Sequence, residues 1–137
     1  MSTPDLCTEE EVSHLVHTFY AKVRDDKLLS PIFSSHISNW NFHLSKMVDF
    51  WSSVLRGTAR YRGTPMPTHN ALPQIDIEMF HRWLKLFHQT TCKLANTKMR
   101  NRADELAERI AQSLWYGYQI HLNPDKPPDQ LRATLND

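Results

Sequence analysis

The sequence predicts an all-α domain. Apolar residues recur at helical spacing in four long stretches, and no stretch alternates apolar and polar with the period of a strand. Only 3 glycines occur in 137 residues. So few positions with cheap positive φ disfavour a chain of tight hairpins.

The first helix starts at Thr8-Glu9-Glu10-Glu11, a hydroxyl followed three residues later by Glu, which is a capping-box pattern. Val12, Leu15, Val16, Phe19 and Val23 then share one face, flanked by Tyr20. Asp25-Asp26 and Pro31 close this helix, and Ser30-Pro31-Ile32-Phe33 predicts one short turn of helix. Ser38 or Asn39 is placed to cap the next helix. There Trp40, Leu44, Met47, Trp51, Val54 and Leu55 form a stripe widened by His43 and Phe50, with Gly57 as the stop. Gly57, Gly63, Pro65, Pro67 and Pro73 make residues 56–75 a loop or a very short helix. Asp76 is placed to cap a third long helix carrying Phe80, Trp83, Leu84, Phe87, Thr91 and Leu94. Asn96 or Thr97 begins the last, with Met99, Ala103, Leu106, Ile110, Leu114 and Tyr118 on one face and Glu105 and Arg109 outside. The four long helices are expected as two antiparallel pairs. From His121 onward Asn-Pro, Lys-Pro-Pro and alternating charges predict a frayed tail.

Composition narrows the function. One domain of this length can bury roughly 65–70% of its unfolded surface, enough for a core without disulfides. The net charge of +1 asks for neither nucleic acid nor an anionic membrane, and no run approaches 18 apolar residues. There is no GxGxxG or GxxxxGK[ST] loop for phosphates. Cys7 and Cys92 form no CxxC or CxxCH, which speaks against a zinc knuckle and covalent haem attachment. The polar, acidic start lacks an apolar leader core, so a reducing cytoplasmic setting with free thiols is expected. The 8 histidines are the residues whose chemistry needs explaining.

Among them His69 stands out. Pro65 and Pro67 precede it and Pro73 comes after it, so the chain around it has few conformations to choose from. A metal ligand needs such a fixed ring; a surface-loop histidine between prolines remains the alternative. His14 and His17, three apart on the first helix, lack an indicated third ligand for zinc. His81 and His88 are expected on the outward side of the third long helix.

Several blocks agree in order and spacing with a known family. FYAKVRDDKLLSPIF in residues 19–33, His43, DFW in 49–51, YRGTPMPTHNALP in 61–73 and FHRWLKLF in 80–87 resemble the truncated haemoglobins, specifically their third group. The likeness covers roughly residues 10–120, and the lack of glycine pairs at helix junctions fits the third group. The resemblance implies a two-over-two helical sandwich in residues 1–121, leaving 122–137 as a flexible tail. It implies non-covalent haem b, with His69 as the proximal iron ligand in its neutral form, so ligation should weaken in acid. On the distal side it implies Tyr20, His43 and Trp83, whose O–H and N–H groups stabilise a dioxygen that has drawn electron density from iron. It also makes Phe33, Met47, Phe50, Leu72 and Trp51 candidates for the apolar walls. Lys46, Arg60 and Tyr61 are candidates to hold the propionates.

Three functions stay open at this level. The first is reversible binding or transport of dioxygen or another diatomic gas. The second is a haem enzyme removing nitric oxide, peroxynitrite or peroxide, with a reductase as partner. The third is a cofactor-free helical bundle that binds another protein through aromatic faces.

Overall fold

The first helix, α1 (Glu9–Asp25), begins where its sequence says it should. The Thr8 hydroxyl accepts from the Glu11 N–H at 3.1 Å, and the Glu11 carboxylate accepts from the Thr8 N–H at 2.9 Å. Glu9, Glu10 and Glu11 in the first turn and Lys22 and Arg24 in the last match the helix dipole. The structure, a computed structural model, describes residues 6–58, 77–122 and 124–128.

Asp26 ends α1 and turns the chain into the next helix. Its carboxylate accepts from the N–H groups of Leu28 (3.1 Å) and Leu29 (3.0 Å), leading into α2 (Ser30–His36) with Pro31 in the first turn. The Asn39 side chain then accepts from the Phe42 N–H at 3.1 Å and caps α3 (Trp40–Arg56). Gly57 closes α3 at φ 70°, the left-handed region where a side chain would clash. Of the two expected caps for α3, Asn39 is the one used.

Helix α4 (Ile77–Thr91) and helix α5 (Thr97–Leu122) are joined by a short connection. In it Asn96 accepts from the Met99 N–H at 3.0 Å and so caps α5. The expected cap Asp76 lies outside the described residues. Helix α5 continues through His121 to Leu122, further than the proline-rich tail suggested.

Helix α1 packs on α3, and α4 packs on α5. Contacts of α1 with α4 and of α3 with α5 join the two pairs into a two-over-two sandwich. Where they meet, Phe19 of α1 sits edge-on to Phe87 of α4 at 5.2 Å, and Trp51 and Trp83 stack on Phe87 at 5.1 and 5.6 Å. Such aromatic contacts are each worth about 0.5–1.5 kcal/mol beyond the area they bury.

The inner line of α5 departs from expectation. Met99, Ala103, Ala107, Ala111, Leu114 and Tyr118 are buried, whereas Leu106 and Ile110 are only partly so. Alanines let a neighbouring helix approach closely, while the longer chains fill the margins. Glu105 and Arg109 are exposed and paired at 3.0 Å, as their spacing predicts. Of the two histidines expected on the outward side, His88 is there, its side chain 44% exposed, while His81 is half-buried. His88 Nδ1 lies 3.0 Å from Asp104 on α5, and His81 Nε2 is shielded from solvent.

Candidate functional site

One polar pair lies at the meeting of α1, α2 and α3. Tyr20 comes directly after the core residue Phe19 and is itself only 5% exposed. Burial pushes its phenol well above the usual range, so the group is a neutral O–H at physiological pH. His43, in the first turn of α3, presents its ring at right angles to that of Tyr20, with centroids 5.2 Å apart and Nε2 shielded from solvent. Phe33 from α2 packs edge-on against Tyr20 at 6.2 Å. The Asp26 turn determines this geometry, because it directs α2 back across the end of α1.

Met47 and Phe50 continue the face of α3 that carries His43, at i+4 and i+7, and pack partly buried against the core. Phe33 covers one side of Tyr20, and Met47 and Phe50 extend the apolar face of α3 beyond His43. Trp83 is not in ring contact with Tyr20: it packs edge-on to Phe19 at 5.3 Å, and Phe19 in turn meets Tyr20 at 5.0 Å. Two of the three distal candidates therefore touch, and the third stands one ring away.

Lys46 is exposed, with its ammonium 4.9 Å from the ring centroid of Phe42, itself 57% exposed. Trp51 is 3% exposed, edge-on to Phe50 at 5.6 Å and stacked on Phe87 at 5.1 Å. The remaining candidates, His69, Arg60, Tyr61 and Leu72, lie outside the described residues.

Sequence reasoning missed Trp40 as a site residue. Its ring stands edge-on to His43 at 5.7 Å and tilted to Tyr20 at 6.2 Å, and the Arg24 guanidinium lies over its ring at 4.6 Å. The signal was present. Trp40 and His43 are i,i+3 on one helix and Tyr20 and Arg24 are i,i+4 on another, so each pair shares a face.

Comparisons with known proteins agree with the fold. The profile of the bacterial-like globin family matches residues 5–115. The group 3 truncated haemoglobin of Campylobacter jejuni subsp. jejuni is 37% identical over 120 residues, covering 82% of this chain and 94% of that protein. The crystal structure of the group III truncated haemoglobin from Campylobacter jejuni superposes with a TM-score of 0.74 at 36% identity, covering 79% of this chain and 88% of that one.

The helical sandwich is that of a truncated globin. The chain belongs to the bacterial-like globin family, and within it to the third group of truncated haemoglobins. Membership places it in a haem-binding class. The described residues carry donor chemistry that fits such a cofactor. A buried neutral hydroxyl and an imidazole are the donor chemistry that a small polar gas at a haem face calls for. No described helix is long and apolar enough to cross a membrane.

Proposed function

We propose that this globin reversibly binds dioxygen or another diatomic gas at non-covalent haem b, with His69 as the proximal ligand. The observation that carries the reading is the Tyr20–His43 pair: a buried phenol, kept neutral by desolvation, edge-on to an imidazole at 5.2 Å. When bound, the haem supplies the iron at which a diatomic gas takes on partial negative charge.

The residues supply the rest. Tyr20 donates its O–H toward that charge and keeps its proton, because ionising it in this surround is unfavourable. His43 offers a second N–H from the α3 side. Trp83 contributes its indole from α4, one ring behind Phe19. Phe33 packs on Tyr20, and burial of the phenol keeps water from it, which strengthens the donor. His69, in its proline-framed segment, would hold the iron through a neutral imidazole, with Leu72 a candidate wall and Arg60, Tyr61 and Lys46 candidates to hold the propionates. The expected cytoplasmic setting suits two unpaired thiols, Cys7 and Cys92.

Optical spectra of the purified ferric and ferrous protein test the cofactor; no Soret band after haem reconstitution would refute it. Replacing Tyr20 by Phe should speed dioxygen dissociation about two- to tenfold, the worth of one net hydrogen bond. His69→Ala should lose haem or make it dependent on added imidazole, whereas an unchanged spectrum would move the iron ligand elsewhere. Repeated consumption of nitric oxide by the oxygenated protein, with a reductase partner supplied, would assign it an enzymatic role instead of reversible binding.

A further inference from the structure

We infer that Arg24 and Trp40 form a latch on the outer side of the distal pocket, holding His43 inward against Tyr20 and so controlling the rate at which small gases enter and leave. The inference rests on the gas-binding reading above and adds two residues to it.

Four side chains run from solvent to the buried phenol: Arg24 is exposed, Trp40 and His43 are half-buried, and Tyr20 is buried. The His43 ring is boxed on two sides. Tyr20 stands across it at 5.2 Å and 89°, and Trp40 at 5.7 Å and 88°. For the imidazole to swing away from Tyr20, the indole must give way. The indole in turn is covered by the Arg24 guanidinium at 4.6 Å from its centroid, well within cation–π range. Among the described residues no carboxylate pairs with Arg24, so the indole is the partner that fixes its position.

The two ends of the latch sit on different helices. Arg24 lies one turn beyond Tyr20 at the end of α1, and Trp40 is the first residue of α3, one turn before His43. Closing the latch therefore ties the two helices that carry the polar pair. Opening it requires only a side-chain change at two helix ends, with no disturbance of the Phe19–Phe87 core. An exposed cation–π contact biases such a two-state equilibrium by about two- to fivefold. If passage requires the open form, entry and exit rates both scale with its population; for carbon monoxide, a weak hydrogen-bond acceptor that gains little from His43, the equilibrium affinity stays nearly constant. Guanidinium, planar and weakly hydrated, suits the indole face better than an ammonium does.

The test uses the intact haem-loaded protein with carbon monoxide as probe. Arg24→Ala should raise the association rate after flash photolysis about two- to fivefold, and the dissociation rate by the same factor. Affinity should then stay within about twofold of the parent. Trp40→Ala should give an effect at least as large, and Arg24→Lys a partial one. The infrared C–O stretch should gain a second band in Arg24→Ala as His43 populates an outward position. Rates unchanged in both Arg24→Ala and Trp40→Ala, with Tyr20→Phe still faster in dioxygen release, would eliminate the latch and leave the pocket standing. A rise in dissociation alone would also overturn it, by making these residues stabilisers of the bound gas. An unaltered Tyr20→Phe protein would instead sink the pocket reading on which the latch depends.

Discussion

Burial gives single side chains of this protein chemistry that their residue type does not disclose. Tyr20 is one case, and Cys7 is another. Burial pushes the Cys7 thiol up to about 11, with Glu11 adding to the effect, Arg56 opposing it and Glu9 adding a little. Its thiolate fraction at neutral pH is therefore roughly a hundredfold below that of an ordinary thiol. Cys92 is exposed. We expect a thiol-alkylating reagent to modify Cys92 rapidly and Cys7 only on unfolding, which mass spectrometry of the labelled peptides would show; equal labelling would contradict the burial. Neither thiol's environment was legible in the sequence, where Cys7 stands in a polar segment. Tyr20 likewise flanks an apolar stripe and reads from periodicity as a core-edge residue. Only the agreement of distant blocks with a family singled it out. Trp40 was passed over, despite its spacing to His43, because an aromatic on a clean apolar stripe reads as core.

At the scale of helices, the ends are set by local chemistry, and local chemistry is what a sequence exposes best. The Thr8–Glu11 capping box, the Asn39 cap and the Gly57 stop were all readable, because each depends on residues within four positions. Gly57 at φ 70° makes this quantitative. Gly57→Ala should lower unfolding free energy by about 1–2 kcal/mol, measurable by urea denaturation, with the slope of the transition unchanged. What remained hidden are the contacts between helices. Ala107 and Ala111 on the buried line of α5 and the approach of His88 to Asp104 depend on how α4 meets α5. Nothing in the spacing within either helix states that meeting. The segment with His69 was the sharpest sequence signal of all, yet its meaning came from the family resemblance and not from proline spacing.

Across the molecule, one buried carboxylate joins parts far apart in the chain. Asp26 caps the α1–α2 turn through Leu28 and Leu29 and accepts from Arg82 Nε of α4 at 2.6 Å. Burial raises its pKa, but the Arg82 hydrogen bond, the Leu29 N–H, the charge of Arg82 and the Leu28 N–H outweigh that and hold the carboxyl below the usual range. A folded-state value below the unfolded one stabilises the fold above about pH 4, and the contribution is lost as pH falls further. Asp26→Asn should cost about 3 kcal/mol near neutrality, the low end for a buried pair because Arg82 is 39% exposed. Its stability should also fall less steeply than the parent's between about pH 4 and pH 2. Parallel acid-denaturation curves for the two proteins would contradict this. The same carboxylate orients α2, so the substitution should also displace Phe33 from Tyr20.

The residues just before α1 are held by groups that come much later. The Leu6 carbonyl accepts from Asn96 Nδ2 at 2.9 Å, 90 positions on, and the Cys7 carbonyl accepts from Arg56 Nε at 2.8 Å. Arg56 and Ser52 of α3 both also engage the Glu9 carboxylate. During synthesis this stretch must therefore wait, untethered, until α3 and then the start of α5 have been made. Closing so wide a span is entropically slow. This stretch thus acts as a timestamp: its full set of contacts exists only in molecules whose assembly is complete.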